Sequence, residues 1–252
     1  MRIAALYDIH GNLPALEAVL QEIEDASVEA LVIGGDVVAG PMPNETLARL
    51  HQLPIPTHFL RGNAEAEVLR MLAGQAPGGL SAYADDEALW IAQALTSEHQ
   101  QFIATWPATV RLTLESWGEV LFCHATPASD RTVFTALTPA ETLIPIFAEL
   151  NPALVVCGHT HMQFDRTVGD VRVVNAGSVG MPFGHTGADW LLLDDRVELR
   201  HTDYDFADAA ARIRRTTYPQ AENFAANNVL HAPSAAQALA MLVQLETNQA
   251  WR

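Results

Sequence analysis

Short apolar runs in this chain keep ending the same way, in a tight turn that carries one or two side chains able to bind a metal ion. Ile3 to Tyr7 runs into Asp8-Ile9-His10-Gly11-Asn12, and Ala30 to Ile33 into Gly34-Gly35-Asp36. Thr57 to Leu60 leads to Arg61-Gly62-Asn63, Val120 to Phe122 to Cys123-His124, and Leu154 to Val156 to Cys157-Gly158-His159-Thr160-His161. Any one of these is weak, since the chain has 10 histidines and His-x-His arises by chance. Their recurrence constrains the fold. In open α/β sheets ligands gather beyond the carboxyl ends of the strands. Five such ends would deliver Asp8, His10, Asp36, Asn63, His124, His159 and His161 to one edge.

The intervening segments support that arrangement. From Leu13 apolar residues recur at helical spacing (Leu16, Val19, Leu20, Ile23), with Pro14 suited to a first turn. Pro41, Pro43 and Asn44 form a turn that can open a helix through Leu47 and Leu50. Alternating strands and helices with short links predict a right-handed parallel α/β unit. Asp85 to Leu95 and Ser97 to Trp106 read as amphipathic helices, the second with Ser97 as N-cap. Val110 to Leu114 and Val120 to Phe122 read as paired strands, and Pro139 to Leu150 as a helix. Two hairpins follow, Phe164–Val168 with Val171–Val174 and Trp190–Leu193 with Val197–Arg200. From Asp205 the chain is alanine-rich and helical, interrupted at Pro219 and Pro233. With 252 residues and 49% hydrophobic content it can bury a full core. The expected organisation is one domain over residues 1–204 and a helical C-terminal extension, 205–252, packed on it.

Charge narrows the partners. A net charge of -16, from 14 Lys+Arg against 30 Asp+Glu, leaves no basic face to follow a nucleic-acid backbone. No apolar run reaches the roughly 20 residues of a membrane helix. The start MRIAALYDIHGN lacks the layout of a signal peptide, so a cytoplasmic protein is expected. The 2 cysteines, Cys123 and Cys157, sit in apolar runs and are expected to be small buried residues, with soft metal ligation as the alternative. Seven Asp, His and Asn ligands exceed the needs of one tetrahedral ion and suit transition metals better than Mg or Ca. Two divalent ions about 3.5–4 Å apart account for the number and would suit phosphoryl displacement by a bridging hydroxide. Less two carboxylates and one hydroxide, they leave a charge matching a phosphodiester monoanion.

The ordered set D-x-H (Asp8, His10), G-D (Gly35, Asp36), G-N (Gly62, Asn63), H (His124) and G-H-x-H (Gly158, His159, His161) resembles the calcineurin-like metallophosphoesterases. The likeness runs from residue 3 to about 200. DIHGN and NAGSVGMP (Asn175 to Pro182) look like the small bacterial and archaeal phosphodiesterase branch. The resemblance implies a four-layer α/β sandwich, two mixed β-sheets flanked by helices. It implies one ion held by Asp8, His10, Asp36 and His161, and a second by Asp36, Asn63, His124 and His159, with Asp36 bridging. Mn is the expected metal, with Fe, Zn or Ni as alternatives. The expected activity is hydrolysis of a small phosphate ester, a phosphodiester first. Phosphomonoesterase or nucleotide pyrophosphatase activity on the same site, and a non-enzymatic scaffold retaining the fold, are the alternatives.

One position departs from the pattern. Many relatives follow Gly-Asn with a histidine that protonates the leaving group; here Ala64 and then Glu65 stand there. Losing a general acid costs roughly 10²–10⁴ in rate where the leaving group needs a proton. No catalytic residue beyond the metal ligands is therefore assigned. Asn12, Arg61 and His185 are candidates for substrate contact, with helix capping, a surface ion pair and a solvated loop as their respective structural readings. Arg131 invites the same two readings as Arg61. His51, His58, His99, His201 and His231 carry no pattern. The extension leaves a homo-oligomer open.

Overall fold

In the computed structural model, residues 1–78, 81–147 and 152–249 are described. Two five-stranded sheets lie face to face. The first has the order β10-β9-β1-β2-β3, built from β1 (Ile3–Leu6), β2 (Ala30–Ile33), β3 (Thr57–Phe59), β9 (Ala188–Leu193) and β10 (Val197–Thr202). The second has the order β4-β5-β6-β8-β7, from β4 (Thr109–Leu114), β5 (Gly118–Cys123), β6 (Leu154–Cys157), β7 (Phe164–Val168) and β8 (Val171–Asn175). Strands β1, β2 and β3 are parallel, as are β5, β6 and β8. Strands β9, β10, β4 and β7 add antiparallel edges, so both sheets are mixed.

Alternation along each strand explains the layers. Ile3, Ala5, Val32, Leu191 and Leu193 of the first sheet meet Val120, Phe122, Leu154, Val156 and Val174 of the second in an apolar core between them. Their neighbours Ala4, Leu6, Leu31, Ile33 and Trp190 point the other way, against the helices. These are α1 (Leu13–Asp25), α2 (Pro43–His51), α4 (Ala82–Ala94) and α5 (Ser97–Ala104), with α3 (Asn63–Leu72) between α2 and α4 in sequence. Leu121, Val155, Val173 and both cysteines cover the outer face of the second sheet with Leu143 and Phe147 of α6 (Ala140–Phe147). A period of two in strands whose two faces are both covered gives four layers.

Two details differ from the sequence-based expectation, and a third falls outside the described residues. Thr96, not Ser97, caps α5, its hydroxyl accepting from the His99 amide at 3.2 Å. Thr96 has extended backbone while Ser97 is already helical, which is what an N-cap requires. Helix α4 starts at Ala82 rather than Asp85, because Ser81 caps it. The last residues of the helix expected over 139–150, 148 to 150, lie outside the described residues.

Beyond Tyr204 come α7 (Phe206–Arg214), α8 (Ala221–Phe224) running into a π-helical segment (Ala225–Val229), and α9 (Ala235–Asn248). Ala209, Ile213, Tyr218, Phe224 and Val229 form an apolar cluster with Met42, against which Leu13, Trp90 and Met181 pack. Among the described residues no helix is long and apolar enough to cross a membrane.

Candidate metal centre

The strand-end loops hold an uncommon backbone. Asp8, His10, Asp36, His159 and His161 all have positive φ, between 50° and 69°; among described non-glycine residues only Ser27 joins them. Such conformations are costly for residues with a Cβ and cluster where function over-determines them. Close-packed glycines make room. A Cβ on Gly35 (φ +88°) would come 2.3 Å from the Gly62 nitrogen, and one on Gly158 would come 2.5 Å from Asp8 Oδ2. The loops after β1, β2, β3 and β6 thus converge only because these positions lack side chains.

Hydrogen bonds fix the convergence. Asp8 Oδ2 accepts from the His159 amide at 2.7 Å, tying the end of β1 to that of β6 across the two sheets. Ser178 Oγ donates to Asp8 O at 2.7 Å, and Asn175 Nδ2 donates to Gly158 O at 2.7 Å. NAGSVG is therefore a brace under both ligand loops. Glu65 is fully buried and accepts from four amides: Asp36 (2.9 Å), Val37 (2.7 Å), Val38 (3.2 Å) and Gly62 (2.8 Å). Burial, then the neighbouring Asp36, pushes its carboxyl up to about 6. Sequence reasoning gave Glu65 no role. Its signal was the spacing, since Glu at the third helical position after an N-cap is one half of a capping box.

Six of the seven candidate ligands come together as two adjoining groups, with Asn63 beside the second. Asp8, His10 and His161 form the first, and Asp36, His124 and His159 the second, with ligand atoms within 4.8 Å of one another in each. In the first, His10 Nδ1 faces Ala39 O at 2.9 Å and His161 Nδ1 faces Met181 O at 3.0 Å. Only an N–H can bond a carbonyl, so each Nδ1 carries a proton, and in the neutral ring each Nε2 presents a lone pair. Those two Nε2 atoms face each other across 3.1 Å. Asp8 Oδ1, buried and without a hydrogen-bond partner, lies 3.4 Å from His161 Nε2 and 3.9 Å from His10 Nε2. Opposed lone pairs beside an orphaned carboxylate oxygen are what a cation resolves, so the donor set fits a metal ion.

In the second group His124 Nε2 lies 3.5 Å from Asp36 Oδ2, 3.8 Å from Asp8 Oδ1 and 3.2 Å from Asn63 Oδ1. With its amide turned the other way, Asn63 would instead donate to His159 Nδ1 at 2.9 Å. Burial lowers the basicity of His124, but the Asp36 and Asp8 carboxylates outweigh it and hold the ring up to about 10. Burial and the adjacent His124 push His159 down to about 4. Against the cost of burial, His124 keeps Asp36 below the usual carboxylate range. Without a cation, a proton on His124 balances the carboxylates; a metal would take its place.

The remaining candidates separate. Asn12 is fully buried: its Oδ1 accepts from the Ala15 amide at 3.3 Å and its Nδ2 donates to Gly180 O at 2.9 Å and the Tyr204 hydroxyl at 3.2 Å. It caps α1, and both of its amide hydrogens are used within the protein. His185 joins neither ligand group; its Nε2 lies 2.9 Å from Asp189 Oδ1. Arg61 is exposed and lines a cavity of about 220 Å³ with His124, Thr126, Ser129 and Asp130. Arg131 is an ion-pair residue, its Nη2 donating to buried Glu67 at 3.0 Å. A second cavity, about 90 Å³, opens between His10, Asp36 and Asn63 and a wall of Ala64, Glu67, Val68, Glu87 and Ile91. Cys123 and Cys157 lie in the apolar cluster on the outer face of the second sheet, and burial raises both thiols.

Two sheets with this order, whose strand ends gather Asp, His and Asn side chains at one edge, define a metallophosphoesterase-type α/β sandwich. The profile of the calcineurin-like phosphoesterase superfamily domain matches residues 1–196, and the chain belongs to that superfamily. It is 25% identical to protein MJ0912 of Methanocaldococcus jannaschii over 238 residues, 86% of this chain and 94% of that one. It is 28% identical to phosphodiesterase YfcE of Escherichia coli over 211 residues, 78% and 89% of the two chains. A metallophosphoesterase structure from Sphaerobacter thermophilus shares the fold with a TM-score of 0.69 at 24% identity, covering 94% of this chain and 99% of its own. Protein PH1004 of Pyrococcus horikoshii superposes with a TM-score of 0.78 at 18% identity, over 89% and 97%. The chain is accordingly a metal-dependent hydrolase of phosphate esters.

Proposed function

We propose that this protein is a phosphodiesterase with two divalent transition-metal ions at the sheet edge, Mn first among the candidates. The observation that carries the reading is the position of Asp8 Oδ1. It lies 3.4 Å from His161 Nε2 in one ligand group and 3.8 Å from His124 Nε2 in the other. Asp8, His10 and His161 would hold one ion and Asn63, His124 and His159 the other, with Asp36 between them. Bound there, such ions supply Lewis acidity and make water nucleophilic near neutral pH.

The chain's own residues would do the rest. Asn175, Ser178 and Glu65 fix the ligand loops, so the donors need no rearrangement when charge develops. Arg61, which forms no ion pair among the described residues, stands beside His124 at the rim of one cavity and would take an unesterified phosphate oxygen. The substrate's organic group would enter the other cavity, against Ala64, Val68 and Ile91. Glu67 and Glu87 in that wall disfavour a dianion, which supports a diester over a monoester. With Ala64 at the usual position of the acid, leaving groups that depart as stable anions are favoured. The test is the rate on an aryl phosphodiester against the matching aryl monoester, with Mn²⁺ supplied. A faster diester supports the reading; a faster monoester moves the assignment to phosphomonoesterase. Bound metal with neither ester cleaved would favour the scaffold, a reading that only Ala64 motivates.

A further inference from the structure

A second cluster of ligand-type side chains lies outside the catalytic edge. Asp189 in β9, His201 beside it in β10, and His185 in the loop before β9 present their ligand atoms within 4.8 Å of one another. His185 Nε2 and His201 Nδ1 each lie 2.9 Å from the same oxygen, Asp189 Oδ1. The two rings meet edge to face, centroids 4.6 Å apart. Asp189 is 1% exposed, and its other oxygen, Oδ2, is buried with no hydrogen-bond partner. Both histidine side chains are open to solvent, at 50% and 37% exposure.

We propose that His185, Asp189 and His201 form a third metal site, a two-imidazole, one-carboxylate set for Zn²⁺ with water completing the shell. Bonds of about 2.0–2.1 Å to each donor need donor atoms about 2.9–3.4 Å apart, and the two nitrogen–oxygen spacings are already at that distance. Two N–H donations to Oδ1 would leave a buried carboxylate charge with Oδ2 bare, whereas a divalent ion neutralises it. Asp203 Oδ1 lies 3.5 Å from His201 Nε2, on the side where a carboxylate partner fixes the tautomer whose Nδ1 lone pair faces the metal.

The position gives the site a consequence. Asp189 closes the loop that begins at Met181, whose carbonyl accepts from His161 Nδ1, and Phe183 N donates to His161 O at 3.0 Å. An ion at the loop's far end ties it to β10. The site stands apart from the catalytic edge, whether one ion or two bind there.

The test is equilibrium dialysis of the full chain against Zn²⁺, comparing wild type with His185→Ala and with His201→Gln. Circular dichroism confirms that each variant is folded. His185 is a half-exposed loop side chain, so its removal leaves the core intact. Each variant should bind one ion fewer per chain than wild type, with the aryl-ester activity of the Mn²⁺-loaded enzyme retained. Zn²⁺ should also slow amide exchange at Gly184 and Gly187 in wild type and not in His185→Ala. Equal stoichiometry and equal exchange in wild type and His185→Ala would overturn the proposal. A variant that loses one ion while the catalytic edge binds any number would sustain it, so the two readings fail separately.

Discussion

The strand-end loops and the α3–α4 wall face each other across the site and hold their residues by different means. On the loop side each ligand is set by its own backbone: positive φ at Asp8, His10, Asp36, His159 and His161, and main-chain carbonyls orienting the rings of His10, His124 and His161. On the wall side residues are placed by distant packing. Glu87 accepts from the hydroxyl of Tyr218, in the link between α7 and α8, and Glu67 is held by Arg131. Burial raises the Glu87 carboxyl, partly offset by that hydroxyl. Preorganisation by local backbone suits the groups that must not move during reaction. Placement by remote helices suits the surface that selects a substrate, since it can change without disturbing the ligands.

That contrast can be broken by mutation. Asp8→Asn should cut ester hydrolysis by about 10³-fold or more, several kcal/mol of transition-state stabilisation, whereas Glu87→Gln should change it by less than about tenfold. Comparable losses in the two variants would erase the distinction between loop and wall. Ala64→His puts a proton donor at the mouth of the wall cavity. It should speed alkyl diesters by up to about 10²-fold and leave aryl diesters nearly unchanged, read from the ratio of the two rates.

Glu65→Gln sharpens the loop side. Two amides that now reach a carboxylate oxygen would face an NH₂ group. Urea unfolding should show a loss of about 2–4 kcal/mol; a loss below about 0.5 kcal/mol would mean the loops hold without it. Arg61→Ala should raise KM for a diester about tenfold with kcat little changed, in line with one lost charge-assisted hydrogen bond.

A smaller effect concerns pH in the chelator-treated protein. His159 is depressed to about 4, so its contribution to stability is present above its unfolded value near 6.5 and is lost as pH falls toward 4. His124 is raised to about 10, so its contribution is present below 6.5 and is lost as pH rises toward 10. Thermal unfolding should therefore show this pair at its most stabilising near pH 6.5. Bound metal should remove the alkaline loss, because it replaces the proton on His124. An alkaline loss that persists with metal bound would contradict that replacement.

What could be read in the sequence follows the same division. The strand ends were legible because an apolar run, a glycine and a ligand are neighbours in the chain; their alternation with helices reads as a parallel α/β unit, and the two mixed sheets are what the family resemblance implies. Glu65 was half legible, as a capping-box residue whose reach to the amides of residues 36–38 no local pattern reveals. The partner of Glu87 is 131 residues away, and His201 meets His185 only because β9 and β10 pair in one register. Such contacts are set by tertiary packing, which leaves no periodic trace.

The most direct test of the central claim is a Mn²⁺ titration of chelator-stripped protein, reading hydrolysis of an aryl phosphodiester and bound metal together, with Asp36→Ala in parallel. The account predicts no hydrolysis without metal, activity that saturates as two ions fill the catalytic edge, and none in the variant. Two ions bound at that edge with no ester cleaved, or full activity in Asp36→Ala, would contradict it.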